Sequence, residues 1–115
     1  MKKPEASMII PAYNEEKNIA GIISRLKFLY PEFEVLVVND GSKDRTAQVA
    51  KEAGAVVYSH PHNIGNGAAI KTGIRKARGD ILVFMDGDGQ HNPEDIAGFL
   101  KYFPDYDMEI GRAHV

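Results

Sequence analysis

Four short apolar runs, separated by segments of helical period, constrain the fold of this chain more than any other feature. The runs are SMIIPA (7–12), EVLVVN (34–39), AVVYS (55–59) and DILVFM (80–85). EVLVVN is too continuously apolar to face water on either side, as a strand covered on both faces requires. Between the first two runs, Ile19, Ile22, Ile23, Leu26 and Leu29 form one apolar stripe at helix spacing, which predicts a helix over 15–29. A shorter helix is predicted over 43–53, stopped by Gly54, and a third over 66–78 carrying Ile70, Ile74 and Ala77. Asn92, Pro93 and Asp95 supply an N-cap, a first-turn proline and an acidic third position for a helix over 92–102. DMEIG (107–111) is a candidate fifth strand. This alternation predicts an α/β, Rossmann-like fold with a mostly parallel sheet and helices on both faces. No repeat, low-complexity tract or linker divides residues 1–115, so they are read as one domain.

In such sheets ligands sit beyond the carboxyl ends of the strands. The segments that follow the predicted strands are PAYNEE, NDGSKDRT, HPHNIGNG and DGDGQHNPE, each rich in polar residues and most also in glycine. All converge on one rim, which is where a binding site is expected. Composition narrows the ligand. A net charge of −2 gives no general attraction to nucleic acid or anionic membrane. The absence of cysteine excludes disulfides, thiolate metal sites and a thiol nucleophile, and suits a reducing compartment. The apolar runs fall far short of the roughly 20 residues that span a bilayer, and Pro11, Asn14 and Glu15 interrupt the N-terminus before a signal-peptide core could form. A cytoplasmic domain, peripheral to the membrane face if its acceptor is a lipid, is the expectation.

Single motifs do not choose the chemistry. A dinucleotide site would want glycines in the first strand–helix turn, and PAYNEE has none. GNGAAIKT (65–72) places Ile70 where a P-loop needs its second glycine, so Gly65 and Gly67 read better as a tight turn or a close approach to ligand. DGDGQ (86–90) fails as an EF-hand loop, because His91 and Ala97 stand where glycine and glutamate belong. A D-x-D-G phosphatase would need further lysine and aspartate motifs, and 25 residues follow Gln90. An ordinary solvated turn, a phosphatase and a Mg²⁺ or Mn²⁺ site for a diphosphate stay open on this stretch alone.

Taken in order, PAYNEE, VVNDGSKDRT, NIGNGAAIKTGIRKARGD and MDGDGQHNPEDI resemble family 2 glycosyltransferases of the GT-A fold, over about residues 7–112. The dolichyl- and polyprenyl-phosphate mannosyl- or glucosyltransferase branch is the nearest. The resemblance implies a UDP- or GDP-sugar donor, a divalent metal (Mg²⁺ or Mn²⁺) and inversion at the anomeric carbon. It implies that Pro11, Tyr13 and Glu15 line the base and ribose, that Asp40 accepts a hydrogen bond from the base, and that Asp86 lies near the ribose and donor sugar. It brings Asp86, Asp88 and Gln90 to the metal, and Lys71 toward the donor phosphates. Read alone, Tyr13 suits a partly buried aromatic at a strand end, Glu15 a first-turn acid facing the helix dipole, Asp40 a turn aspartate before Gly41, and Lys71 a solvated helix lysine. Asn39 departs from the aspartate that many relatives carry. The histidines carry little weight here: HPH (60–62) reads as a loop, and nothing requires His91 as a ligand.

Breaking a sugar–diphosphate bond loads negative charge on the leaving group, which a divalent ion offsets without a proton donor. A lipid-phosphate acceptor is already anionic and needs no strong base; a glycan hydroxyl would, and no general base is identified. Gly111–Arg112 lacks the serine of the relatives' G-S-R-type element, which puts a phosphate role for Arg112 in doubt. The acceptor half is missing from the pattern, so the chain reads as the N-terminal, donor-binding half of the enzyme. The alternative expectation is a non-catalytic nucleotide-sugar-binding fragment that needs further chain or a partner, with self-association through an open sheet edge.

Overall fold

A computed structural model describes residues 3–85, together with the backbone of Tyr106–Asp107 and Arg112–Ala113. The chain runs β1 (Ala6–Ala12), α1 (Ile19–Leu29), β2 (Glu34–Asn39), α2 (Thr46–Glu52), β3 (Val56–Ser59), α3 (Asn66–Lys76), β4 (Ile81–Phe84), and then the short β5 (Tyr106–Asp107) and β6 (Arg112–Ala113). The first four strands form a sheet in the order β3-β2-β1-β4. Every pairing in it is parallel: Ile9 stands beside Leu36 and Phe84, and Val37 beside Val57. The chain therefore builds outward from β1 through β2 to β3, then crosses back to place β4 on the other side of β1.

Strand periodicity sends alternate side chains to opposite faces, and both faces are covered. Met8, Ile10, Val35 and Val37 pack with Ile19, Ile22, Ile23 and Leu26 of α1 and Ala50 of α2. Ile9, Leu36, Val38 and Leu82 pack with Ala69 and Ile74 of α3. The helix lies close on that face: a Cβ added at Gly73 would stand 2.3 Å from Ile9 Cγ2, so a larger residue forces the Ile9 side chain or the helix to shift.

The predicted elements are all present in the described part of the chain, with shorter helices. α1 begins at Ile19 rather than at residue 15; ahead of it the Glu15 carbonyl accepts the N–H groups of Asn18 and Ile19 in a turn. α2 begins at Thr46 rather than at 43, since residues 42–44 are spent on bonds between loops. α3 ends at Lys76 rather than at 78, where Ala77 turns extended. The candidate fifth strand over 107–111 is met only at its first residue: Tyr106–Asp107 is a strand, and it pairs antiparallel with Arg112–Ala113 in a separate ribbon rather than joining the main sheet. The predicted helix over 92–102 lies outside the described residues.

Candidate functional site

The carboxyl ends of β1 and β2 open onto a cleft of about 290 Å³, at the lower end of the range typical of ligand pockets. Pro11, Ala12, Tyr13, Asp40, Asn63, Gly65 and Asn66 line it. It lies beside the point where the strand order reverses between β1 and β4, the position that open α/β sheets use for ligands. Of the residues expected there, Pro11, Tyr13 and Asp40 come together. Glu15 and Lys71 are not among the lining residues. The Glu15 carboxylate accepts from Asn18 Nδ2 at 3.0 Å, and Lys71 is exposed on α3. Asp86, Asp88 and Gln90 lie outside the described residues.

Tyr13 is held out at the mouth of the cleft, 41% exposed, by a loop that is tied to its neighbour. Asn14 takes a left-handed backbone (φ 53°). Its N–H donates to Ser42 Oγ at 2.9 Å, and its side-chain oxygen accepts the Lys43 N–H at 2.9 Å. The Glu15 N–H donates to Thr46 Oγ1 at 2.8 Å, and the Glu16 N–H to Asp44 Oδ2 at 3.2 Å. Asp44 also accepts the Thr46 N–H and hydroxyl. Burial would raise the Asp44 pKa, but these bonds outweigh it and hold the carboxyl below its ordinary range. A loop carrying so many bonds from outside itself is a rigid platform for Tyr13.

Asp40 is 4% exposed and more heavily bonded still. Its Oδ1 accepts from His60 Nδ1 at 2.7 Å and from the Ile64 N–H at 3.0 Å. Its Oδ2 accepts from Asn63 Nδ2 at 3.0 Å and from the Gly65 N–H at 2.8 Å. Two donors on each oxygen fill the roughly four lone-pair sites of a carboxylate. A base that donated to Asp40 would have to share or displace one of them. Burial pushes the carboxyl up, yet the His60, Ile64 and Gly65 bonds, with attraction to His60, leave it below the ordinary aspartate value. The turn beside it is equally tight: a Cβ on Gly41 (φ +72°) would sit 2.1 Å from the His62 carbonyl carbon, so only glycine serves. Asn39 uses both ends of its amide, donating to Ser59 Oγ and accepting the Ser42 N–H, each at 3.1 Å.

The sequence reading missed Asn63, Asn66 and His60. HPHNIGNG marked a polar loop, but nothing in it showed that His60, which falls at the end of a strand, turns back to Asp40 rather than to solvent. Asp44 was missed as well, although its place two residues ahead of Thr46 at a helix start is an Asx-turn signal.

Among the described residues no group of three or more ligating side chains occurs. The Met85 N–H donates to the Ile9 carbonyl at 3.0 Å, so β4 leaves the sheet at the same rim as Ala12 and Asp40. The donor set that follows in sequence, Asp86, Asp88 and Gln90, is all carboxylate and amide oxygen, which fits a hard divalent cation.

Comparison with known proteins agrees with this picture. The family model described as Glycosyl transferase family 2 matches residues 7–114. The chain is 41% identical to the dolichyl-phosphate beta-glucosyltransferase of Trichomonas vaginalis, across 86% of this chain and 35% of that protein. It is 37% identical to the UDP-N-acetylglucosamine–dolichyl-phosphate N-acetylglucosaminyltransferase of Methanococcus voltae, across 82% of this chain and 45% of that one. Among solved structures it resembles the glucosyl-3-phosphoglycerate synthase of Mycobacterium tuberculosis in complex with Mn²⁺, UDP-glucose and phosphoglyceric acid. That match has a TM-score of 0.64 and 30% identity, covering 74% of this chain and 33% of the other. The chain thus spans less than half the length of the relatives it matches.

Proposed function

The chain belongs to glycosyl transferase family 2 and has the GT-A fold, and from that footing we propose that its C-terminal rim binds the donor of an inverting sugar transfer to a polyprenyl or dolichyl phosphate. The observation that carries this reading is the convergence of Pro11, Tyr13 and Asp40 on one cleft beside the strand-order reversal. A UDP- or GDP-sugar fits such a place. The exposed Tyr13 ring offers a stacking face to the base. The Asn63 and Asn66 amides offer polar edges, while Asp40 fixes the turn that carries them rather than standing free to bind.

Asp88 and Gln90, with Asp86 toward the ribose and donor sugar, are the residues that would hold Mg²⁺ or Mn²⁺. When bound, the ion offsets the charge that develops on the leaving diphosphate. The neighbour with Mn²⁺ and UDP-glucose supports this assignment, as does the oxygen-only donor set. The two dolichyl-phosphate relatives support a lipid-phosphate acceptor. A phosphate oxygen is already a nucleophile, so the absence of an assigned general base is no obstacle. Attack comes from the sugar face opposite the diphosphate, which inverts the anomeric centre.

Calorimetric titration with UDP- and GDP-sugars, with and without Mn²⁺, tests the reading. The expected result is saturable binding that requires the ion and is lost in Asp88→Ala. Binding that ignores metal and tolerates Asp88→Ala would remove the metal–diphosphate assignment. Binding without transfer to a polyprenyl phosphate would favour a donor-binding unit that works with further chain or a partner.

A further inference from the structure

His60 does not line the cleft, yet it lies behind the residue that shapes it. Its Nδ1 is 2.7 Å from Asp40 Oδ1, and its Nε2 is 2.8 Å from Thr72 Oγ1 in the second turn of α3. His60 and Asp40 are almost fully screened from water, with side chains 12% and 6% exposed. Thr72 is buried as well. The sequence carboxylate–imidazole–hydroxyl is that of a nucleophile triad, but the hydroxyl here is enclosed beneath α3 and absent from the cleft lining. It cannot meet a substrate. Its use must therefore be mechanical.

We infer that His60 is a positioning residue for the donor cleft, coupling α3 through Thr72 to Asp40 and so to the 63–65 turn. This rests on the donor reading of the cleft. Asp40 alone could rotate about its side-chain torsions, and each of its other donors belongs to the turn it has to hold. Asn63 Nδ2, the Ile64 N–H and the Gly65 N–H all move with that turn. His60 is the donor from outside it. The histidine backbone is fixed independently, since its N–H donates to the Asn39 carbonyl at 2.8 Å and extends the β2–β3 ladder. Its ring therefore ties the carboxylate to the sheet on one side and to a helix on the other. The Thr72 hydroxyl at Nε2 fixes the orientation of the ring from the helix side.

The prediction separates bonding from bulk. His60→Asn keeps a donor near the Nδ1 position, whereas His60→Ala removes it; loss of one bond to a buried carboxylate predicts about a tenfold rise in donor Kd. Thr72→Val removes the anchor at similar volume, and Thr72→Ser restores it. The chain is titrated with UDP-glucose and with GDP-mannose in Mg²⁺, and the Ile64 and Gly65 amide proton shifts are read by NMR without ligand. The inference expects the weakest binding in His60→Ala, an intermediate loss in His60→Asn and Thr72→Val, which each break the link to Thr72 while leaving a donor for Asp40, and near wild-type behaviour in Thr72→Ser, with the two amides moved upfield in the same order. Wild-type affinity and unmoved amides in His60→Ala and Thr72→Val would overturn it. If His60→Ala does not fold, the Thr72 pair decides. Should the wild-type chain bind no nucleotide sugar, the donor reading fails, and the inference about the cleft falls with it. The amide shifts would then show separately whether His60 holds the turn.

Discussion

Strand β2 has a buried carboxylate at each extremity, Glu34 at its start and Asp40 just past its end, and the two hold opposite ends of helix α3. Glu34 Oε1 accepts from Ser7 Oγ at 2.7 Å and from the Arg78 N–H at 3.0 Å, while the Gly79 N–H donates to Ser7 Oγ at 2.8 Å. Asp40 accepts the Ile64 and Gly65 N–H groups just ahead of α3. The device is the same, a side-chain acceptor replacing the bonds that backbone N–H groups lose where regular structure stops. The surroundings differ. Asp40 faces the positive end of the helix dipole, and Glu34 stands at the other end of the helix. The Glu34 end binds a hydroxyl and backbone beside a smaller hollow of about 230 Å³ lined by Lys27, Phe33, Gly54 and Arg78. The Asp40 end adds an imidazole, an asparagine amide and an open cleft. Both ends leave a hollow, but that at Asp40 is the larger and lies at the carboxyl ends of the strands.

Removing each carboxylate measures that difference. Asp40→Ala leaves His60, Asn63 and two backbone donors without their acceptor and is expected to cost about 3–5 kcal/mol in urea unfolding. Glu34→Ala strands fewer donors, with an expected loss of about 1–3 kcal/mol. Equal losses would erase the distinction. Gly73→Ala tests whether α3 between its clamps has any slack: with Ile9 against the new methyl group, about 1–3 kcal/mol should go to overpacking.

Acid titration sharpens the comparison further. Asp40 and Asp44 have folded pKa values below the ordinary 3.8. A carboxyl depressed by folding contributes stability that is complete above its unfolded pKa and is lost as pH falls through the folded one. The urea midpoint should therefore drop below about pH 4, and Asp40→Asn should flatten that drop. A wild-type slope retained in Asp40→Asn and in Asp44→Asn would refute the assignment. The smallest effect belongs to Lys71→Ala, on the exposed face of α3, where stability should stay within about 0.5 kcal/mol and donor affinity should not change.

The architecture was legible because it rests on apolar periodicity, which a sequence displays directly. β2 was predicted at the same residues that the structure shows, and the stripe of Ile19, Ile22, Ile23 and Leu26 is the face that α1 buries. Helix starts were less legible. Residues 15–18 form a turn whose Glu15 and Glu16 N–H groups are taken by Thr46 and Asp44, some thirty positions later, and no local pattern shows that pairing. Within the site, Tyr13 and Asp40 could be named, but the state of Asp40 could not. Its partners come from the β3–α3 connection, and no local pattern shows that His60 will turn inward while His62, two residues on, stays exposed. The β5–β6 ribbon was missed for a like reason, since pairing between such short strands is set by contact rather than by apolar period.

The central claim is that the Asp40 end of β2, and not the Glu34 end, is the donor site. A ¹⁵N-labelled sample titrated with UDP-glucose and with GDP-mannose in Mg²⁺ tests it most directly. The account predicts saturable amide shifts centred on Ala12, Tyr13, Asp40, Asn63, Gly65 and Asn66 with at least one of the two donors. Shifts centred instead on Lys27, Glu34, Gly54 and Arg78 at the opposite rim, or no saturable shifts with either donor, would contradict it.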